Sequence, residues 1–199
     1  MIRPLLLAIA IATLAGCATT PSAPRSGSAV AAYRDAADFN GRIAINYSRD
    51  GKKESLNGTF NWRQSKDNTD VSLISPTGQT VAMIHVTPRS ATLTESGKPP
   101  RSAPDLDTLT AQTLGWTLPV SGLHDWLQGY ATDSEGKRFA ASPANDSVVT
   151  RDGWKLDYVT WQDENAAVPQ PKRIDATRIA LGQAVDEMQI RIVISPSEQ

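Results

Sequence analysis

The sequence predicts an α+β domain, in which about nine to eleven short strands form an antiparallel meander accompanied by three short helices. Apolar side chains recur at every second position over most of the chain, which is the period of a strand with one buried face. Turn-forming clusters separate these runs, at residues 49–51, 66–68 and 75–78. The helical stretches are too few and too short to cover a large sheet, so we expect a partly open apolar hollow.

The first sixteen residues have the layout of a secretory signal peptide. Arg3 gives a basic start, residues 5–14 form an uncharged apolar run, and small residues precede Cys17. An apolar run of about ten residues is too short to cross the hydrocarbon core of a bilayer as a helix. We therefore predict that residues 1–16 are a signal peptide.

Cys17 is the only cysteine, so it has no partner within the chain for a disulfide. The sequence Leu-Ala-Gly-Cys at 14–17 resembles the lipobox of bacterial lipoproteins, which implies lipidation of Cys17 at the mature amino terminus. The alternative is a buried or accidental cysteine behind an ordinary signal. In lipoproteins of enteric bacteria, an aspartate directly after the cysteine favours retention in the inner membrane. Ala18 stands at that position here, so the resemblance implies sorting to the outer membrane. Residues 17–29 are rich in Ala, Thr, Ser, Pro and Gly, which predicts a flexible tether to a domain at 30–199.

Each strand-like run has one predicted buried side, whose residues are mostly apolar and alternate with residues of the other side. In chain order these apolar sides are Ile43, Ile45 and Tyr47; Leu56, Gly58, Phe60 and Trp62; Val71 and Leu73; Val81, Met83 and His85; Trp154, Leu156 and Tyr158; Ile174 and Ala176; and Met188, Ile190, Ile192 and Ile194.

Three segments have helical patterns. Residues 30–38 form the first, with Ser28 as its predicted cap. Asp105 is the predicted cap of a second helix that ends at Leu114. The third covers residues 121–128, and its apolar side is predicted to be buried. That side consists of Leu123, Trp126 and Leu127.

The sequence offers no catalytic or metal-binding motif. Its two histidines, His85 and His124, lie in a strand-like run and in a predicted helix, where we expect structural or surface roles. A metal site or a nucleophile triad needs several convergent groups, and no phosphate-binding glycine loop occurs. We therefore expect a protein that is not an enzyme and carries no cofactor. With a formal net charge of −1, the chain also lacks the basic excess typical of nucleic-acid binding.

All five tryptophans lie in the predicted elements or at their ends. Two interpretations are open at this point. Tryptophans usually build a packed core, but an apolar pocket for a lipid would use the same side chains.

Several segments together resemble the LolB family of outer-membrane lipoproteins, in an order and spacing that cover nearly all of residues 39–195. The segments are Phe-Asn-Gly-Arg-Ile-Ala at 39–44, Gly-Thr-Phe-Asn-Trp-Arg-Gln at 58–64, Ser-Pro-Thr-Gly at 75–78, Leu-Gly-Trp-Thr-Leu-Pro at 114–119, Leu-His-Asp-Trp-Leu-Gln-Gly at 123–129, the run from Gly153 to Trp161, and the strand at 190–194.

The resemblance implies a curved antiparallel sheet of about eleven strands, an incomplete β-barrel whose helices cap an apolar cavity. It implies that the protein accepts lipoproteins from the periplasmic carrier LolA, holds their acyl chains in the cavity and incorporates them into the outer membrane. We expect a monomer on the periplasmic face, anchored by Cys17 and in contact with cargo lipoproteins and outer-membrane lipid. The predicted lining of the cavity is Ile43, Ile45, Phe60, Trp62, Leu73, Met83, Trp116, Leu118, Trp126, Tyr158, Ile190 and Ile192.

The loop formed by Pro76, Thr77 and Gly78 is a separate prediction. In the LolB family this loop commonly carries an exposed leucine that is tied to membrane insertion, and here Thr77 takes its position. Threonine offers far less apolar surface to a bilayer. The alternatives are an ordinary turn for the loop and, for the whole chain, a structural or envelope-assembly lipoprotein that binds another protein and has no lipid cavity.

Overall fold

The fold is taken from a computed structural model of the chain, which describes residues 26–49, 51–114, 120–178 and 187–196. The signal peptide, Cys17, most of the predicted tether, and two predicted lining residues, Trp116 and Leu118, lie outside these ranges. None of the helices in the described ranges is long and apolar enough to span a bilayer.

Twelve strands and two helices follow one another along the described chain. The first six strands are β1 (Ala37–Arg49), β2 (Lys52–Gln64), β3 (Thr69–Ile74), β4 (Thr80–Thr87), β5 (Ser90–Glu95) and β6 (Arg101–Ala103). The helices are α1 (Leu106–Leu114) and α2 (Val120–Trp126). The remaining strands are β7 (Tyr130–Thr132), β8 (Arg138–Ala140), β9 (Ser147–Val149), β10 (Trp154–Trp161), β11 (Pro171–Arg178) and β12 (Glu187–Ile194).

Ten of the strands form one antiparallel sheet in the order β6-β5-β4-β3-β2-β1-β12-β11-β10-β9, and β7 and β8 form a separate hairpin. The last strand, β12, pairs with the first, β1, so the chain joins two meanders at the centre of the sheet. The two outer strands, β6 and β9, do not pair with each other in the described part of the chain. This confirms the predicted incomplete barrel with short helices.

The pairing of β1 with β12 shows why the alternation specifies the register. Ile43 lies opposite Ile192, and Ile45 lies opposite Ile190. A shift by one residue would turn the apolar side chains of both strands towards solvent. The alternate residues of β12, from Met188 to Ile194, are all buried, as the sequence predicted.

The predicted helix at 30–38 was wrong. Residues 26–34 form neither a helix nor a strand, residues 35–36 form a bend, and strand β1 begins at Ala37. The backbone N–H of Val30 donates to the carbonyl of Ala141 at 3.0 Å. The side-chain amide of Gln128 accepts from the N–H of Arg34 at 3.0 Å and donates to its carbonyl at 2.9 Å. These tertiary hydrogen bonds replace the ones that a helix would form, so local propensity is overridden.

The two other predicted helices are present. The carboxylate of Asp105 accepts from the backbone N–H of Thr108 at 2.7 Å, which is the geometry of an N-cap. Helix α2 ends at Trp126, and the turn after it closes at Gly129, whose N–H donates to the carbonyl of Trp126 at 2.9 Å and whose φ is +84°. A side chain there would also bring its Cβ to 2.6 Å from a methyl group of Val30. The predicted buried side of α2 is buried in the structure.

Large aromatic side chains fill the part of the concave face under β10 and β11, which we call the filled half. Trp154, Tyr158 and Trp161 of β10 are buried there, and Trp126 of α2 packs on Trp154 with ring centroids 6.0 Å apart. The ring of Tyr158 stacks between Phe139 and Trp161. Burial raises the pKa of the Tyr158 hydroxyl well above its usual value.

Candidate binding cavity

An apolar cavity of about 240 Å³ lies between the inner face of β1–β4, strand β12 and helix α2. We call this part of the concave face the hollow half. The only polar residues among the described residues of the lining are Asn57 and Thr59, and both are exposed. The full lining is Ile43, Ile45, Leu56, Asn57, Gly58, Thr59, Phe60, Trp62, Val71, Leu73, Ile74, Val81, Ile84, Leu123, Leu127 and Ile192.

The cavity runs from an exposed mouth to a buried floor along β2. At the mouth, Leu56 is 45% exposed and Val81 is 44% exposed. Further along β2, Phe60 is buried, and Trp62 is only 4% exposed. Leu123 of α2 and Leu127, which directly follows α2, form the roof over the buried part. The cavity therefore has one open end and one closed end.

The alternation of β2 explains most of this wall, because every second residue from Leu56 to Trp62 faces the cavity. Gly58 has a specific role in that series. A Cβ at Gly58 would lie 2.6 Å from the carbonyl oxygen of Ile74, so only glycine lets the end of β3 approach β2 this closely.

The placement of Met83 in the cavity was wrong. Met83 is 52% exposed and does not belong to the lining. Leu73 pairs with Ala82, and Ile74 pairs with Thr80, so Val81 is an extra residue in the ladder. Such a bulge breaks the period of two. Val81 lies at the mouth, but beyond the bulge Ile84 faces inward and Met83 faces outward.

The other predicted lining residues fall into three groups. Ile43, Ile45, Phe60, Trp62, Leu73 and Ile192 lie around the cavity. Trp126, Tyr158 and Ile190 are buried but are not part of its lining. Trp116 and Leu118 lie outside the described residues. The sequence prediction omitted Leu123 and Leu127, although the apolar side of the predicted third helix was the signal that identifies them.

A buried polar chain closes the floor of the cavity. The indole N–H of Trp62 donates to the side-chain oxygen of Gln64 at 2.9 Å. The amide nitrogen of Gln64, a residue that is 2% exposed, donates in turn to the carbonyl of Arg34 at 3.4 Å. Buried polar groups are stable only when they are paired. The floor is thus tied to the segment that precedes β1, and Gln128, which follows α2, bonds to the same segment.

A cluster of aromatic and charged side chains also holds the segment before β1 against α2. The hydroxyl of Tyr33 shares a hydrogen bond with Nδ1 of His124. The guanidinium of Arg138 lies over the rings of Tyr33 and Tyr130, at 4.8 and 4.5 Å from their centroids. A hydrogen bond from His124 holds the pKa of Asp125 below its usual range. Burial raises the pKa of Tyr33.

The two histidines are not brought together. His124 belongs to the cluster against α2, whereas His85 lies on the outer face of the sheet with its Nδ1 2.6 Å from the carboxylate of Asp70. Over the described ranges, no group of three or more His, Cys, Asp or Glu side chains is arranged to hold a metal ion. The cavity itself offers hydrocarbon surface with few polar groups, so it suits an apolar ligand.

The loop at 75–78 lies beside the mouth. It joins Ile74 to the start of β4, and both Ile74 and Val81 line the cavity. The N–H of Gly78 donates to the carbonyl of Ser75 at 2.9 Å, and Gly78 has a φ of +83°. The hydroxyl of Thr77 lies 2.8 Å from that of Ser75. Pro76, Thr77 and Gly78 are all exposed.

Comparisons of the sequence with known proteins agree on one family. The family model described as outer membrane lipoprotein LolB matches residues 35–196. The outer-membrane lipoprotein LolB of Cupriavidus necator is 38% identical, over 92% of this chain and 90% of that protein. The one of Ralstonia nicotianae is 33% identical, over 96% and 94%. Among solved structures, a LolA superfamily protein from Nitrosomonas europaea aligns with a TM-score of 0.42 and 10% identity, covering 84% of this chain and 87% of that one.

Proposed function

Because the chain belongs to the LolB family of outer-membrane lipoproteins, we propose that it receives lipoproteins from the periplasmic carrier LolA and incorporates them into the outer membrane. In this proposal the acyl chains of the cargo bind in the cavity of the hollow half. The observation that carries it is an almost wholly apolar cavity with a buried floor and an open mouth. The role involves noncovalent transfer only and requires no catalytic residue or cofactor.

The energetics of acyl chains support this use of the cavity. Each methylene group exposed to water costs about 0.8 kcal/mol, so a lipoprotein cannot leave its carrier without another apolar site. At about 240 Å³ the cavity is smaller than the ~300–1,000 Å³ of typical ligand pockets. We infer that it widens when cargo binds. Helix α2 is the wall that would move, because it covers the cavity with side chains and is not a strand of the sheet.

The anchor and the loop complete the proposal. Cys17 would carry the lipid after removal of residues 1–16, and residues 17–29 would tether the domain at 30–199. A flexible tether of this length has a mean reach of roughly 20 Å, which keeps the mouth near the membrane. We propose that the loop at 75–78 contacts the bilayer and that cargo leaves through the adjacent mouth.

A transfer assay tests the proposal. LolA loaded with a lipoprotein is mixed with liposomes that carry the Cys17-anchored protein, and the cargo is followed between carrier and liposomes. We expect cargo to move only when the protein is present. The matched control is Leu73→Trp, whose larger side chain is expected to block the cavity. Cargo that stays on a carrier shown to be competent with another acceptor would contradict the proposal and favour an assembly role.

The same assay tests the loop. We expect Thr77→Leu to maintain or increase the transfer rate, because leucine adds apolar surface at the membrane contact. A clear decrease in a correctly folded variant would show that the loop has a different role.

A further inference from the structure

One edge of β2 lacks a neighbouring strand at the mouth of the cavity. β2 pairs with β1 along its whole length, from Lys52 to Gln64. It pairs with β3 only from Thr59 to Gln64. On that side, residues 52–58 therefore have no strand partner in the described part of the chain. The N–H and C=O groups that point outward along such an edge are available to another extended chain.

The free edge differs in character along its length. At the tip of the hairpin, Lys52, Lys53 and Glu54 carry charge, which natural proteins use to keep edge strands from pairing. Residues 55–58, Ser-Leu-Asn-Gly, carry no charge. This uncharged part is also the part that reaches the cavity, because Leu56, Asn57 and Gly58 belong to its lining.

The chemistry of the cargo places a peptide at this position. The acyl chains of a lipoprotein are attached to its first residue, so a cargo with its chains in the cavity must leave its polypeptide at the mouth. The segment behind such a cysteine is typically polar and flexible, as the composition of residues 18–29 illustrates in this chain. Its backbone groups have no partners of their own and can form a β-ladder.

We propose that residues 55–58 of β2 form a docking edge for the extended linker of a bound lipoprotein, which adds to the sheet as an antiparallel or parallel strand. The inference rests on the proposed function, since it needs the acyl chains in the cavity. Strand addition uses main-chain hydrogen bonds for affinity. An edge of this kind accepts linkers of many sequences, which suits an acceptor with diverse cargo.

Amide hydrogen exchange on the lipidated protein in nanodiscs tests this edge. Three ligands are compared: a diacylglyceryl-cysteine peptide with a ten-residue Ala/Ser/Gly linker, the same lipopeptide with N-methylated linker amides, and palmitate. Occupancy of the cavity is read independently from the signal of Trp62, which is the part of the tryptophan fluorescence that Trp62→Phe removes from this five-tryptophan protein. We expect all three ligands to change that fluorescence. Only the unmethylated lipopeptide should slow exchange within residues 55–58, by about tenfold, while the paired amides of β3 remain unchanged.

The remaining outcomes separate the two proposals. If all ligands change the Trp62 signal but none slows exchange at 55–58, the docking edge is wrong and the cavity stands. If the methylated lipopeptide slows exchange as much as the unmethylated one, the effect is steric, and strand addition is wrong. If no ligand changes the Trp62 signal, the proposed acyl cavity fails, and the docking edge fails with it.

Discussion

The filled half and the hollow half of the concave face are built from strands with the same alternation, but they end in different states. In the filled half, the ring of Trp126 packs on Trp154 and the ring of Tyr158 stacks on Trp161, and all four side chains are buried. In the hollow half the wall is mostly Ile, Leu and Val, with Phe60 and Trp62 at its closed end. The side chains point inward in both halves. The halves differ in the volume of these side chains and in the side chains that pack over them.

The alternation therefore determines which side chains face inward but not whether they pack against one another. Protein interiors are normally packed as densely as organic crystals. A cavity lined by apolar groups therefore costs stability, and it persists here beside a core that is packed with aromatic rings. We interpret the filled half as the part that supports the fold and the hollow half as the part that is open to a ligand.

The largest expected effect comes from a matched pair of truncations. Leu156→Ala in the filled half removes a fully buried side chain. It should lower the free energy of unfolding by about 2–5 kcal/mol. Leu56→Ala at the mouth should cost no more than about 0.5 kcal/mol, because its side chain is already half exposed. Urea denaturation measures both, and equal losses would remove the distinction between the halves.

Enlarging a side chain should distinguish the halves in the opposite sense. Leu156 is fully buried, so the larger side chain of Leu156→Trp has no space. This overpacking should lower the free energy of unfolding by about 1–3 kcal/mol. Leu73→Trp projects into the cavity, so it should be nearly neutral for stability and should weaken the binding of a fluorescent fatty acid at least about tenfold. Unchanged probe binding in folded Leu73→Trp would mean that the probe binds elsewhere.

The segment that precedes β1, which bonds to Gln64 and Gln128, gives a smaller effect. Gln128→Leu leaves the backbone N–H of Arg34 without its side-chain acceptor. We expect a loss of about 1–3 kcal/mol in the free energy of unfolding, together with faster exchange of the Arg34 amide. Gln170→Leu, at an exposed position, is the control and should change neither quantity. A Gln128 variant that matches this control would show that the segment does not depend on this contact.

The smallest effect concerns charge on the outer face of the filled half. Burial opposes the ionisation of Asp175, but hydrogen bonds from Arg173 and Arg191 hold its pKa below the usual value. A carboxyl group with a lowered pKa in the folded state stabilises the fold above its unfolded pKa of about 3.8, and this contribution is lost as the pH falls through the folded pKa.

Asp175→Asn should therefore cost under about 1 kcal/mol at neutral pH. It should also reduce the acid-side loss of stability, as measured by urea denaturation between pH 2 and 7 in roughly one-unit steps. Asp70→Asn, on the outer face of the hollow half, is the matched control. We expect less change there because the Asp70 and His85 side chains are both more than half exposed. An unaltered pH profile for Asp175→Asn would contradict the assigned ion pairs.

Much of the fold follows from the sequence, and the exceptions have physical causes. The inward faces of β2, β10 and β12 follow from alternation, and Asp105 identifies the start of α1. The bulge at Val81 carries no sequence signal, which is why Met83 was placed on the wrong face. The helix predicted at 30–38 is absent because this segment bonds to Gln128 and Ala141. These partners are about a hundred residues away, so no local pattern reveals them.

The candidate site was less predictable than the fold. Alternation gives the side that Trp62, Tyr158 and Ile190 face, and all three are buried as expected. Only Trp62 of these three lines the cavity, because the space left over depends on how rings from distant elements pack. Leu123 and Leu127 line the cavity because of how the chain packs α2 over the sheet, which local sequence patterns do not determine.

The proposed function places the acyl chains in the hollow half and not in the filled half. Quenching of tryptophan fluorescence by a brominated fatty acid distinguishes the two positions, because bromine quenches only at short range. The comparison uses the wild-type protein, Trp62→Phe and Trp154→Phe, whose replaced rings lie in the hollow and the filled half. We predict that Trp62→Phe removes a large part of the quenching and that Trp154→Phe leaves the quenched signal unchanged. Quenching that survives Trp62→Phe and is lost with Trp154→Phe would contradict this placement.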